Sequence, residues 1–90
     1  MQYFVYILYS SKLDKFYIGS TADLYDRLTK HNRSRKGFTS KGIPWILVYH
    51  ETWNSKTDAL KREKQLKAWK NRDRIISLLD KSSVGSEHPD

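Results

Sequence analysis

The chain has 90 residues, no cysteine, and 17 Lys and Arg against 10 Asp and Glu, a formal charge of +7. That length suits one domain burying roughly 60% or slightly more of its unfolded surface. The missing cysteines exclude disulfides and thiolate metal sites, and no N-terminal apolar run reads as a signal peptide or membrane span, so a soluble cytoplasmic monomer is expected. The positive balance favours a polyanionic partner: nucleic acid first, an anionic membrane surface second, with mere solubility as the plain alternative.

YFVYILYS, from Tyr3, and FYIGST, ending at Thr21, are dense in aromatic and β-branched residues and flank the polar SKLDK, which predicts a β-hairpin. With the turn centred near Ser11 and Lys12, Tyr6 and Tyr17 fall opposite each other on one face. Gly19, two residues past Tyr17 on that face, leaves a gap that a backbone or ligand could approach. Thr21 then reads as the cap of a helix over 22–32, whose Leu24 and Leu28 lie four apart.

RSRKGFTSKGIP, residues 33–44, holds Gly, Ser and cations without an acid and predicts a mobile loop. WILVYHE, Trp45 to Glu51, is apolar on both alternating faces and predicts the central strand of the sheet. Ser55 and Asp58 are spaced as a capping box with Asp for Glu, so a second helix is expected over 56–70, interrupted at Asn71 or Arg72. A third helix over 72–79 carries Ile75, Ile76, Leu78 and Leu79 at helical spacing. Residues 81–90 read as a flexible tail, which keeps His88 out of any site. The expected architecture is α/β over residues 1–80: a small three-stranded antiparallel sheet flanked by helices, in the order β-β-α-β-α-α.

Glu63 is the most informative position without any relative in view. Ala59, Leu60 and Leu66 define the apolar stripe of the second helix, and Glu63 falls near its centre while Lys61, Arg62 and Lys64 point elsewhere. An inward carboxylate needs a cation, a metal or water, because burying it unpaired costs several kcal/mol. The bland alternative is an i,i+4 pair with Lys67, worth about 0.2–0.5 kcal/mol. Arg27 and His31 are one turn apart on the first helix, so a guanidinium and an imidazole can aim at one spot; equally, Arg27 could pair with Asp23 and His31 could edge the core. Tyr6 and Tyr17 could be ordinary core tyrosines, and His50, at a strand end, reads as structural.

Two cationic surfaces suit a phosphate backbone: Arg33, Arg35, Lys36 and Lys41 in the loop, and Lys61, Arg62, Lys64, Lys67 and Lys70 on the outer face of the second helix. Nothing reads as a base-recognition module, so little sequence preference is expected. Trp53 and Trp69 could stack on unpaired bases, or Trp69 could pack between helices.

FVYIL followed by YIG, with Arg27, His31 and Glu63 in order, resembles the GIY-YIG nuclease family over about the first 75–80 residues. The likeness is greatest to the small stand-alone bacterial members and more distant to the N-terminal nuclease domain of the bacterial repair excinuclease. It implies a metal-dependent endonuclease acting on nucleic acid, DNA ahead of RNA, with repair as one setting. By that resemblance Glu63 holds a single Mg2+ or Mn2+, Arg27 neutralises the scissile phosphate, and Tyr6, Tyr17 and His31 surround the attacking water. One Glu suffices, because Mg2+ keeps several waters and takes only one or two carboxylates. The general base stays open between Tyr6 and His31: a phenol of pKa about 10 is nearly all protonated at pH 7, whereas an imidazole near 6.5 is mostly neutral. The sequence also departs from the family pattern. Phe4-Val5-Tyr6 lacks the first glycine, Ser20 stands where excinuclease-type domains often carry a lysine, and Asn71 is the nearest match to a distal asparagine or else a helix cap. A module that grips nucleic acid without cutting is therefore the second reading, and an interaction protein the third.

Overall fold

The computed structural model describes residues 2–35 and 37–84. Three antiparallel strands, β1 (Tyr3–Ser10), β2 (Lys15–Thr21) and β3 (Ile46–Trp53), are joined by helices α1 (Leu24–Arg33) and α2 (Gly37–Lys41) before β3 and followed by α3 (Lys56–Trp69) and α4 (Arg72–Val84). The α/β sandwich is the one expected, but the strand order is β2-β1-β3, so β1 and not β3 is the middle strand. The physical reason lies in burial. Val5, Tyr6, Ile7 and Leu8 are buried in succession, as a strand with layers on both faces requires, whereas β3 exposes Ile46, His50 and Thr52.

Alternation along β1 divides the core in two. Val5 packs with Ala59 and Leu66 of α3, ringed by Tyr3, Ile18, Trp53, Trp69 and Leu78. Tyr6 and Leu8 face the other way onto Trp45, with Leu13, Tyr17, Leu24, Leu28, Ile43 and Leu47 around them. Each fully buried aliphatic side chain contributes about 1.5–3 kcal/mol, so each layer is held by several such terms.

The hairpin turn is four residues long, Ser11 to Asp14, with Asp14 in the left-handed region at φ 55°. Its centre lies one residue later than expected, which slides the register by two: Tyr6 opposes Gly19 and Tyr17 opposes Leu8. A two-residue slide keeps every side chain on its face, so Tyr6 and Tyr17 remain neighbours on the diagonal instead of directly across. The turn is anchored from α4, where Arg72 donates to the Asp14 carboxylate at 2.6 Å and to its carbonyl at 3.0 Å.

At α1 the cap is Asp23, not Thr21: the Asp23 carboxylate accepts from Asp26 N at 3.0 Å, while the Thr21 hydroxyl accepts from Asp23 N at 3.1 Å one step earlier. A carboxylate meets the exposed helix N–H groups better than a hydroxyl two residues further back can. The segment expected as loop contains α2, and Asn32 ties the end of α1 to the sheet, accepting from Trp45 N at 2.7 Å and donating to Trp45 O at 3.1 Å. Ser55 caps α3 as its spacing indicated, accepting from Asp58 N at 3.1 Å, and Lys70 closes the helix at φ 46°. Asn71 then caps α4 through Asp73 N at 2.9 Å. That helix runs on to Val84 past the expected end at Leu79; the rest of the expected tail, His88 included, lies outside the described residues. Among the described residues no helix is long and apolar enough to cross a membrane.

Candidate active site

The site forms at the β2 edge, where side chains from both faces of the sheet reach the same strand. From the α1 face comes Tyr6. A Cβ placed on Gly19 would lie 2.5 Å from the Tyr6 hydroxyl oxygen and 2.8 Å from Cζ, so the phenol lies directly against this glycine. The gap expected at Gly19 is thus filled from within the protein, because the register sets Tyr6 across from it and no side chain stands in the way. Tyr17 stacks on Tyr6 with centroids 6.5 Å apart at 18°, and meets the His31 ring edge-on at 4.5 Å. The Tyr6 hydroxyl lies 3.2 Å from His31 Nε2.

Tyr6 is 2% and His31 7% exposed. Burial, then the neighbouring Tyr17, and more weakly Glu63, push the Tyr6 phenol above its ordinary range against the opposing pull of Arg27. Burial and the Arg27 charge both push the His31 imidazole down. In the tautomer that leaves Nε2 unprotonated, the Tyr6 hydroxyl donates to it. His31 is thus a core residue, two turns on from Leu24, whose Nε2 faces a phenol.

Arg27 is exposed one turn before His31. Its link to Asp23 is the backbone bond from Arg27 N to Asp23 O at 3.1 Å; among the described residues no carboxylate pairs with its guanidinium within 4.0 Å. Its positive charge bears on Tyr6, His31 and Glu63 alike.

Glu63 arrives from the opposite layer. One oxygen accepts from the Ser20 hydroxyl at 2.6 Å, and the other carries the Lys67 ammonium at 2.7 Å. The modest i,i+4 pair and the inward carboxylate thus coexist. Burial pushes this carboxyl up, but hydrogen bonds from Lys67 and Ser20 with the charges of Lys67 and Arg27 outweigh it and hold Glu63 ionised, below its usual range. Its place on the helix differs from expectation. Leu60 is 47% exposed, and the buried face turns through Ala59 and Leu66 toward Trp69, so Glu63 stands at the margin nearest β2 instead of at the centre. A groove of about 350 Å³ runs beside it, lined by Tyr3, Ser20, Thr21, Asp23, Arg27 and Lys56 among others.

Among the described residues no three His, Cys, Asp or Glu cluster as an all-protein metal cage. The donors suit something simpler. One ionised, half-buried carboxylate already holds a cationic group at 2.7 Å, and a hard divalent ion that keeps most of its waters fits such a donor.

Arg62 corrects the expected nucleic-acid surface. It turns inward to β3, giving the Glu51 carboxylate bonds from Nε at 3.0 Å and Nη2 at 2.9 Å, while Tyr49 and Trp53 donate to the same group. Its neighbour Glu63, 100° around the helix, is thereby aimed at β2. This anchor escaped the sequence reading, although Glu51 shares a strand face with Tyr49 and Trp53, and a carboxylate between two aromatics signals a buried partner. Trp69 packs against the core beside Arg62 and Arg74, the latter's guanidinium 4.4 Å over its ring. Lys61, Lys64 and Lys67 on α3, Lys70 just past its end, and Arg33, Arg35 and Lys41 around α2 are exposed; Lys36 lies outside the described residues. His50 is exposed beside Phe4, 6.2 Å between ring centres, and Asn71 serves as a cap.

A sequence profile described as the GIY-YIG catalytic domain matches residues 2–75. A UPF0213 protein of Desulfotalea psychrophila is 39% identical over 72% of this chain and 60% of its own, so the chain spans under two thirds of that relative. A UPF0213 protein of Staphylococcus aureus is 35% identical over 81% of this chain and 89% of its own. The solution NMR structure of a UPF0213 protein from Bacillus halodurans superposes at a TM-score of 0.56 with 28% identity, covering 87% of this chain and 85% of that one. With the profile spanning most of the chain and the sandwich matching in three dimensions, the protein belongs to the GIY-YIG family, alongside the UPF0213 proteins.

Proposed function

We propose that this protein is a single-metal endonuclease that hydrolyses phosphodiester bonds in nucleic acid, DNA ahead of RNA. The observation that carries the reading is convergence at the β2 edge: a phenol and an imidazole in hydrogen-bond contact from one layer, an ionised carboxylate from the other, and an exposed guanidinium whose charge reaches all three. Family membership and the exposed cations around the site support it.

Each group has a distinct task. Arg27 grips phosphate through two donors and stays protonated throughout. Glu63 would hold Mg2+ or Mn2+, which when bound supplies Lewis-acid stabilisation of charge on phosphate oxygens. Tyr6 and His31 work as a relay. As water attacks phosphorus, its proton passes to the Tyr6 oxygen while the Tyr6 proton passes to His31 Nε2, leaving an imidazolium and an intact phenol; the bond from phosphorus to the leaving oxygen breaks, and that oxygen takes a proton from solvent. No free phenolate is required, which suits a phenol held above its ordinary pKa. Tyr17, stacked on Tyr6 and edge-on to His31, orients them.

The test is plasmid nicking with Mg2+ or Mn2+. Glu63→Ala should lose at least about 100-fold, the scale on which a single electrostatic stabiliser acts; unchanged cleavage in the variant would sink the assignment. A binding module that does not cut is the second reading, favoured by the fact that both Glu63 oxygens already have partners. It predicts salt-dependent DNA binding with no metal-dependent nicking in the wild type.

A further inference from the structure

We propose that Lys67 and the divalent ion compete for one oxygen of Glu63, so that the ion releases the Lys67 ammonium onto the substrate phosphate and tightens nucleic-acid binding. The inference rests on the nuclease reading and adds to it a coupling between metal and substrate.

The two Glu63 oxygens are held differently. Oε1 takes a neutral hydroxyl from Ser20 at 2.6 Å, fixed by its place on β2. Oε2 takes a cation, Lys67 Nζ, at 2.7 Å, on a side chain 54% exposed against 18% for Glu63 itself. A hydroxyl on one oxygen coexists with a metal on the other. An ammonium and a divalent ion on the same oxygen repel each other, and the more exposed, flexible and singly charged of the two leaves. The pair that must break is an i,i+4 contact whose lysine is half-exposed, a modest interaction.

The freed ammonium has a destination. Lys67 stays one turn from Glu63 along α3, and Lys56, two turns the other way, lines the groove with Arg27. Displacing Lys67 leaves this edge with one more uncompensated positive charge on the same side of the sheet edge as a phosphate gripped by Arg27. Metal binding therefore raises the affinity for a polyanion, and the polyanion, by drawing Lys67 off, raises the affinity for metal by the same factor.

The probes are Mn2+ alone, followed by calorimetry or by its electron-spin resonance signal, and a fluorescent DNA duplex read by anisotropy at fixed ionic strength. Lys67→Gln should bind Mn2+ about three- to tenfold more tightly than wild type, whereas Lys64→Gln, removing an equal charge one position beyond Glu63, should change it less than twofold. In wild type, Mn2+ should tighten duplex binding severalfold, and Lys67→Gln should lose most of that gain. Equal Mn2+ affinity in wild type and Lys67→Gln, with metal-dependent nicking intact, overturns the exchange and leaves the nuclease reading standing. Mn2+ binding to neither protein overturns both. Thermal melting of each variant confirms that the fold is the same.

Discussion

The two faces of the sheet equip the site in opposite ways. On the α1 face, Tyr6, Tyr17 and His31 are placed by apolar and aromatic packing around Trp45 and Leu8, and the polar contact among them is the phenol–imidazole bond. On the α3 face, ionised side chains set the orientation: Arg62 grips Glu51 on β3, and Glu63 reaches Ser20 on β2. Dry packing suits groups that must stay neutral until a proton moves, whereas a carboxylate near the core stays charged only if donors surround it. Both sets meet at β2, an edge strand with a glycine near its end toward α1, so the candidate site lies at the edge of the sheet and not on a face.

The sharpest way to break that meeting is Gly19→Ala. The new methyl would sit 2.5 Å from the Tyr6 oxygen, and a ring buried and stacked on Tyr17 cannot swing aside. Cleavage should drop at least about 100-fold, with stability lower by about 1–3 kcal/mol from overpacking, read by nicking and denaturant titration. Full activity in Gly19→Ala would show that Tyr6 need not lie where it does.

Glu51→Ala strikes the other face. It strands the Arg62 charge, whose side chain is 21% exposed, and should cost about 2–3 kcal/mol in urea unfolding, less than for a fully buried pair. The ring resonances of Tyr6, Tyr17 and His31 should barely shift, because their layer is packed independently.

The faces also differ in their pH response. His31 is held below its ordinary pKa, so its contribution to stability is complete above about pH 6.5 and falls as the solution is acidified past that point, where the unfolded imidazole takes a proton that the folded one resists. Glu51 and Glu63, also depressed, keep theirs until the pH falls below about 4.3, then lose it as they protonate. Urea midpoints across pH 3–8 should therefore decline in two separate stages, and His31→Gln should erase only the upper one. The smallest shift expected is in the His31 pKa itself, which Arg27→Gln should raise by removing a nearby cation, read in an NMR titration.

Several features of the site could be read along the chain because they depend on neighbours close in sequence. The helical spacing of Arg27 and His31, the Ser55 cap, the strand character of both hairpin arms and an inward-leaning Glu63 all follow from local periodicity. The Tyr6–Tyr17 register differs from the expected one by a single residue at the turn, since SKLDK offers no Asn-Gly or similar pair to pin its centre. WILVYHE and FVYIL are equally apolar over four or five residues, so the middle strand is told apart only by its pairing partners.

By itself, the amino-acid sequence determined the strands, the longer helices, the basic surface and the pairing of Arg27 with His31 on one helix face, since each is set by side-chain chemistry and short-range spacing; the short α2 was not among them. Tertiary structure alone decided that Tyr6 fills the space at Gly19, that Arg62 turns inward to Glu51, and that Glu63 holds Ser20 and Lys67 at once. Those contacts depend on which strands pair and how α3 is rotated upon them, and such long-range choices are settled by the packing of the whole sheet.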